Sequence, residues 1–148
     1  KAKTLIYIVR DTHGPGSFNK IRYIIQQFLM NETQQLVNTI VDGIQEKKGR
    51  SIVTVDLRRI VSAPSSYFVI CTAGSPQQVD AITDSVEEFT GKHLREKPAA
   101  IAGRDNCEWV AMDYGNVIVH IFLPEAREFY DIENLWDDAD ITEIADLM

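Results

Sequence analysis

The residues of this chain that could do chemistry are few, and most lack a partner at useful spacing. Gly74-Ser75 opens a helical pattern. Such a turn can aim backbone N–H groups at a phosphate, and nucleotidyltransferases combine one with a downstream Asp pair that holds a metal. Here Asp80 and Asp84 stand four apart on the helix itself, and no Asp-x-Asp pair falls on an adjoining predicted strand. His120, between Val119 and Ile121 in a strand pattern, could serve as a general base or ligand, since neutral imidazole does both near neutral pH. Without a partner set, it fits a hydrogen-bonded structural or interface residue better. Cys71, His120 and Asp113 assemble into a nucleophile triad on paper, yet Cys71 sits in mid-strand and no nucleophile elbow is present. Cys71 and Cys107 form no Cys-x-x-Cys pair, so they read as small core residues in a reducing cytosol, and neither a metal nor another cofactor is expected.

A second kind of chemistry is recognition. Trp109, Tyr114, Phe129, Tyr130 and Trp136 crowd into one short region. Trp109 and Phe129 read as core. Tyr114 beside a glycine turn, and Tyr130 and Trp136 among carboxylates, read as exposed anchors, because aromatics with a polar handle dominate interface hot spots. Residues 131–148 hold Asp131, Glu133, Asp137, Asp138, Asp140, Glu143 and Asp146 with no Lys or Arg. The net charge is −7, and within residues 1–29 Lys1, Lys3, Arg10, Lys20 and Arg22 outnumber Asp11 by four, leaving −11 on the remainder. A body of that sign repels phosphate backbones and steers basic proteins toward it, so little direct nucleic-acid contact is expected.

The elements that must position these groups follow from periodicity. Leu36, Val37, Ile40, Val41 and Ile44 make one apolar helical stripe between Glu32 and Lys48, with Gly49 as the stop. Ser51 to Leu57 alternates as a strand, with Val53, Val55 and Leu57 opposite Ile52, and Tyr67 to Thr72 is a nearly continuous apolar run, as in a covered strand. Ser75-Pro76 caps a helix marked by Val79, Ile82, Val86 and Phe89 and closed by Gly91. Pro98 to Ile101 forms a short edge strand. Glu108 to Asp113 and Val117 to Phe122 then pair as a hairpin around Gly115-Asn116, which brings Trp109 near Phe122 and sets Asp113, Tyr114 and Asn116 at one sheet end. Pro124 starts a short helix with Arg127 and Tyr130 on one face. The sum is one α/β domain that binds protein.

Several spaced motifs, in order, resemble the ribosomal silencing factor family, also called RsfS or Iojap. They are Tyr67-Phe68-Val69-Ile70-Cys71-Thr72, Ser75 with Gln78-Val79, Trp109-Val110 with Asp113-Tyr114-Gly115, Val117 through Phe122, and Arg127, Tyr130, Glu133, Leu135 and Trp136. The resemblance spans residues 32–137. It implies an α+β fold with a mixed sheet flanked by helices, similar in topology to nucleotidyltransferases without their catalytic residues, and a protein that is not an enzyme. It further implies binding to the large ribosomal subunit through ribosomal protein number fourteen, at the face that meets the small subunit, so that joining is hindered and translation falls. Organelle relatives act in large-subunit assembly. The contact role carries onto Asp113, Tyr114, Asn116, His120, Arg127, Tyr130, Glu133 and Trp136, with Trp109 as a support. Asn116 stands where many relatives have Asp, and Ala73 and Pro76 differ from the commoner Gly-Asn-Ser turn.

Three regions are expected. Residues 1–29 read as an extension upstream of a native start at Met30, where Asn31 and Gln34 offer a helix cap. Residues 30–137 form the domain, and residues 138–148 an acidic, solvated tail. A cytoplasmic location is expected, and exposed aromatics with a free sheet edge would permit a homodimer. A nucleotidyltransferase-like enzyme using the Gly-Ser turn remains the competing reading.

Overall fold

The computed structural model describes residues 17–147, so the first part of the extension expected over residues 1–29 lies outside the described residues. The chain divides into two compact units, residues 1–35 and 36–148. In the first, a helix (α1, Ser17–Glu46) begins at Ser17 and continues past the expected cap at Asn31. No glycine or proline interrupts residues 17–42, and the Thr33 hydroxyl donates back to the Leu29 carbonyl at 3.0 Å inside the helix.

The second unit is a six-stranded sheet with helices. Its strands are β1 (Arg50–Asp56), β2 (Tyr67–Thr72), β3 (Ala100–Ala102), β4 (Trp109–Asp113), β5 (Val117–Phe122) and β6 (Asp140–Ile144), and their spatial order is β3-β4-β5-β2-β1-β6. Only β2 and β5 run parallel, with Cys71 opposite Ile121 and Ile70 opposite His120. The other pairs are antiparallel. The expected mixed sheet flanked by helices is therefore present.

Because strand side chains alternate, the sheet has two different faces. On one, Ile52, Val69, Cys71, Val110, Met112, Val117, Val119 and Ile121 pack beneath Leu36, Val37, Ile40 and Ile44 of α1 and Val79, Ile82 and Val86 of a second helix (α2, Pro76–Leu94). The helices approach closely at Gly43, where a Cβ would lie 3.0 Å from the Val86 Cα, and the buried Ser85 hydroxyl donates to the Gly43 carbonyl at 2.7 Å. On the other face, Val53, Val55, Leu57, Phe68, Ile70 and Phe122 are covered by Ile60 and Ala63 of a loop and by Ala126, Ile132, Trp136 and Ala139. Those last four belong to a seven-residue helix (α3, Pro124–Tyr130), a 3-10 turn (Ile132–Asn134) and the chain after it.

Several ends differ from expectation. The left-handed residue after α1 is Lys48, φ 60°, not Gly49. Gly49 is needed for space, since a Cβ there would strike the Ile44 side chain and come within 3.2 Å of Ile82. Helix α2 runs through Gly91 to Leu94, and Arg95 (φ 54°) ends it by donating its N–H to the Gly91 carbonyl. In the hairpin turn only Gly115 takes positive φ, 88°, while Asn116 does not, the pattern of a II′ turn. The tail read as solvated instead places β6 along β1, Val55 opposite Ile141. Its residues are nearly all exposed, so composition looks the same for a solvated tail and an edge strand.

Gly103, φ +93°, sits where a Cβ would strike the Trp109 carbonyl oxygen. Gly103→Ala is therefore expected to lose at least about 1 kcal/mol in urea unfolding. An unchanged midpoint would mean that the β3–β4 turn has room to spare.

Candidate functional site

The eight residues given a contact role do not form one group. Asp113, Tyr114 and Asn116 sit at the hairpin end of β5, about 17 Å from its other end at Phe122. Arg127, Tyr130 and Glu133 lie at that other end, and His120 and Trp136 pack along the face between. At the hairpin end, Asp113 and Asn116 are exposed. Asp113 Oδ1 accepts the Gly115 N–H at 2.7 Å, and the Asn116 carbonyl accepts N–H groups of Ser66 and Tyr67 at 3.0 and 3.2 Å. Tyr114 turns inward onto the helix side, against the core. Its hydroxyl lies 2.8 Å from Thr90 Oγ1, which is itself 3.3 Å from the Glu87 carbonyl. The threonine hydroxyl has one proton to give to that carbonyl, so the phenol donates to Thr90. Burial pushes the Tyr114 hydroxyl up to about 12, which keeps it a donor. This end is built mainly from groups already paired to one another.

The far end is different. Trp109 at the start of β4 lies opposite Phe122 at the end of β5, and their rings stack at 5.0 Å. Tyr130 of α3 packs on Trp109 at 4.7 Å, and Phe129 meets Tyr130 edge-on at 5.0 Å. Further along the same face, toward the hairpin end, Trp136 meets Phe68 at 5.7 Å, and Phe68 meets His120 at 4.6 Å. His120 is therefore buried in an aromatic cluster. The Trp109 indole N–H donates to His120 Nδ1 at 3.0 Å, which places the imidazole proton on Nε2, a buried atom without a hydrogen-bond partner among the described residues. Burial pushes the imidazole down to about 4.

Arg127 holds this end together. Its Nη1 donates to the Ser51 carbonyl at 2.6 Å and to Thr72 Oγ1 at 2.8 Å. Its Nε and Nη2 form two parallel bonds to the Glu133 carboxylate at 2.9 and 3.1 Å. The two side chains are only 14% and 20% exposed, so they clamp α3 and the 3-10 turn to the ends of β1 and β2. Ser51, in the left-handed region at φ 50° within a bulge, also donates its N–H to Asp146 Oδ1 at 2.9 Å. Sequence alone placed Phe129 in the core, but it is 81% exposed, while Tyr130 is 50% exposed. Ala126 is three residues from Phe129 and four from Tyr130, so helical spacing alone does not separate the two rings; the stacking of Tyr130 on Trp109 does.

The catalytic arrangements do not form. Cys71 points to the helix side and His120 to the other, so the sheet separates them. Burial pushes the Cys71 thiol up to about 12. At the start of α2, the Gly74 N–H is taken by Gln78 Oε1 at 2.7 Å and the Gln78 N–H by Ser75 Oγ at 3.2 Å. Gln78 Nε2 also donates to the Lys47 and Lys48 carbonyls at 3.0 and 3.2 Å, so its side chain fills the place a phosphate would need. Asp80 and Asp84 are both engaged by Arg104, at 2.6 and 2.8 Å.

Comparison with known proteins gives one family model, described as "Ribosomal silencing factor during starvation", matching residues 30–148. A relative named "Ribosomal silencing factor RsfS" from Halalkalibacterium halodurans is 31% identical over 111 residues, covering 75% of this chain and 93% of its own. A mouse protein named "Mitochondrial assembly of ribosomal large subunit protein 1" is 29% identical over 103 residues, covering 68% of this chain and 44% of its own. A crystal structure of a Chromobacterium violaceum protein superimposes with a TM-score of 0.66 at 30% identity, over 70% of this chain and 84% of that one.

Two outcomes follow from the geometry. Glu133→Ala strands the Arg127 guanidinium against the Ser51 carbonyl and should cost about 1.5–3 kcal/mol in urea unfolding; a cost near zero would mean the clamp is dispensable. For His120, the folded value lies below the unfolded one of about 6.5, so its contribution is complete above that pH. As pH falls toward 4 the unfolded chain takes up a proton that the folded chain refuses, and stability drops by on the order of 3 kcal/mol. His120→Gln, which keeps an acceptor for Trp109, should show a shallower loss between pH 6.5 and 4. Parallel profiles would contradict the assignment.

Proposed function

The chain belongs to the ribosomal silencing factor family, and from that membership we propose that it binds the large ribosomal subunit through ribosomal protein number fourteen, in the cytoplasm, and blocks joining of the small subunit. A folded domain seated on the joining face prevents association by steric overlap and needs no chemical step. The protein acts as a binding partner and not as an enzyme.

The observation that carries this reading is the aromatic end of the sheet. Tyr130 and Phe129 are exposed there, and near them stand Glu108, Glu125, Glu128 and Asp131, all exposed. Monomeric domains seldom leave large apolar side chains grouped in this way unless something docks on them. Carboxylates around such a patch favour a partner rich in Arg and Lys and disfavour bare RNA. Within the contact set, Tyr130 makes the direct contact. Trp109, held by His120, backs it from below, Trp136 packs on Phe68 nearer the hairpin end, and Arg127 with Glu133 fixes the segment that carries Tyr130. Asp113 and Asn116 lie at the hairpin end of β5 and serve a second, separate contact with the same subunit face, while Tyr114, turned inward onto Thr90, supports the turn that carries them.

Sedimentation of purified subunits tests the proposal. The protein should travel with the large subunit and reduce the yield of joined ribosomes. Tyr130→Ala should weaken binding by about 1–2 kcal/mol with an unchanged fold. If the protein neither co-sediments nor lowers joining, the silencing reading is lost, and heat released on titrating a magnesium nucleotide would favour the enzyme reading in its place.

A further inference from the structure

An open groove of about 670 Å³ runs beside Phe129, floored by Leu123, Pro124 and Ala126 and bordered by Glu108 and Glu125. None of the residues lining it is basic. Resting on the large-subunit reading above, we propose that this groove is the anchor point of the interface. Its occupant is an extended segment of a basic protein that inserts one apolar side chain against Phe129 and sets a neighbouring Arg or Lys between Glu108 and Glu125.

Three observations converge on that occupant. Helix α3 contributes no buried residue, and its Phe129 ring is 81% exposed. Burying a phenylalanine side chain is strongly favourable, so the fold forgoes a gain that a partner can collect. The ring is also held in place. Phe129 leans on Tyr130, Tyr130 on Trp109, and Trp109 on Phe122, while Trp109 is tied to His120 by its indole N–H. An anchor that is already ordered loses little entropy on binding. Charge then selects the partner. Glu108 and Glu125 both border the groove beside the Leu123-Pro124 corner and both are exposed, and among the described residues no hydrogen bond or ion pair engages either carboxylate. A segment with an apolar residue next to a cation satisfies groove and rim together, whereas a polyanion would face two carboxylates and a second copy of this acidic chain would bring more of them.

The test uses the full-length protein with purified large ribosomal subunits. Phe129→Ala should lower affinity about tenfold or more, the range expected of a hot spot. Phe129→Leu should retain most of it, and both variants should melt at the wild-type temperature because the ring lies outside the core. Glu108→Gln with Glu125→Gln should weaken binding and flatten its dependence on salt, since each variant removes a charge from the interface. A photoreactive benzoylphenylalanine at position 129 should crosslink to a ribosomal protein segment that contains Arg or Lys. If the wild type fails to bind large subunits, both the reading and this inference fall. If the wild type binds and Phe129→Ala binds equally well, the groove assignment falls while the reading stands. Crosslinks confined to ribosomal RNA, or to a second copy of the chain in a dimer that Phe129→Ala dissolves, would overturn the assigned occupant.

Discussion

Helices cover one face of the sheet, and the apolar strip on the other, from Val53 and Val55 through Phe68 and Ile70 to Phe122, must be shielded by chain with little regular structure. That constraint shapes the functional end. The shielding segment has to leave β5, turn at Pro124, and return across the sheet to Ile132 and Trp136 before joining β6. A seven-residue helix cannot hold itself in water, so its place is set by what grips it. Arg127 supplies the grip by tying α3 to the ends of β1 and β2 and to Glu133. The same guanidinium that looks in sequence like a charge offered to a partner is consumed within the fold, and its consumption presents Tyr130 and Phe129 outward.

The aromatic cluster joins stability to recognition. His120 is uncharged because it is buried, and its Nδ1 receives the Trp109 N–H for the same reason that its proton resides on Nε2. The indole so fixed supports Tyr130. Polar and apolar contacts in this cluster depend on one another: a charged imidazole would lose its acceptor for Trp109, and the platform beneath the exposed rings would loosen. The start of α2 shows the reverse case. Its donors resemble a phosphate cradle, but Ser75 and Gln78 satisfy them internally. The turn is thus closed by one glutamine side chain.

Much of this was legible in the residues. The alternation of Val53, Val55 and Leu57 against Ile52, and of Val117, Val119 and Ile121 against Ile118, His120 and Phe122, assigns each side chain to its observed face, because a strand has a period of two whatever surrounds it. The capping of α2 by Ser75-Pro76 and the hairpin at Gly115 depend on local geometry and were equally readable. Helix ends were less so. Lys48 and Arg95, not the nearby glycines, take the left-handed positions, since hydrogen bonds to the preceding turn can support a non-glycine residue there. The edge strand β6 was hidden because an exposed acidic segment has the same composition whether it pairs with β1 or floats free.

The sequence by itself determined the mixed fold, the two sheet faces, the family and the acidic, aromatic character of the surface, for these follow from side-chain period, ordered motifs and charge. Only the tertiary structure decided which of those residues face outward. It spread the expected contacts along the length of β5, turned Tyr114 and His120 inward, closed Arg127 upon Glu133, and exposed Phe129. The physical reason is that a side chain's orientation depends on partners distant in sequence: Thr90 for Tyr114, Ser51 and Thr72 for Arg127, and Trp109 for His120. No local pattern encodes those distances, and the pairings arise only when the sheet brings the strands together.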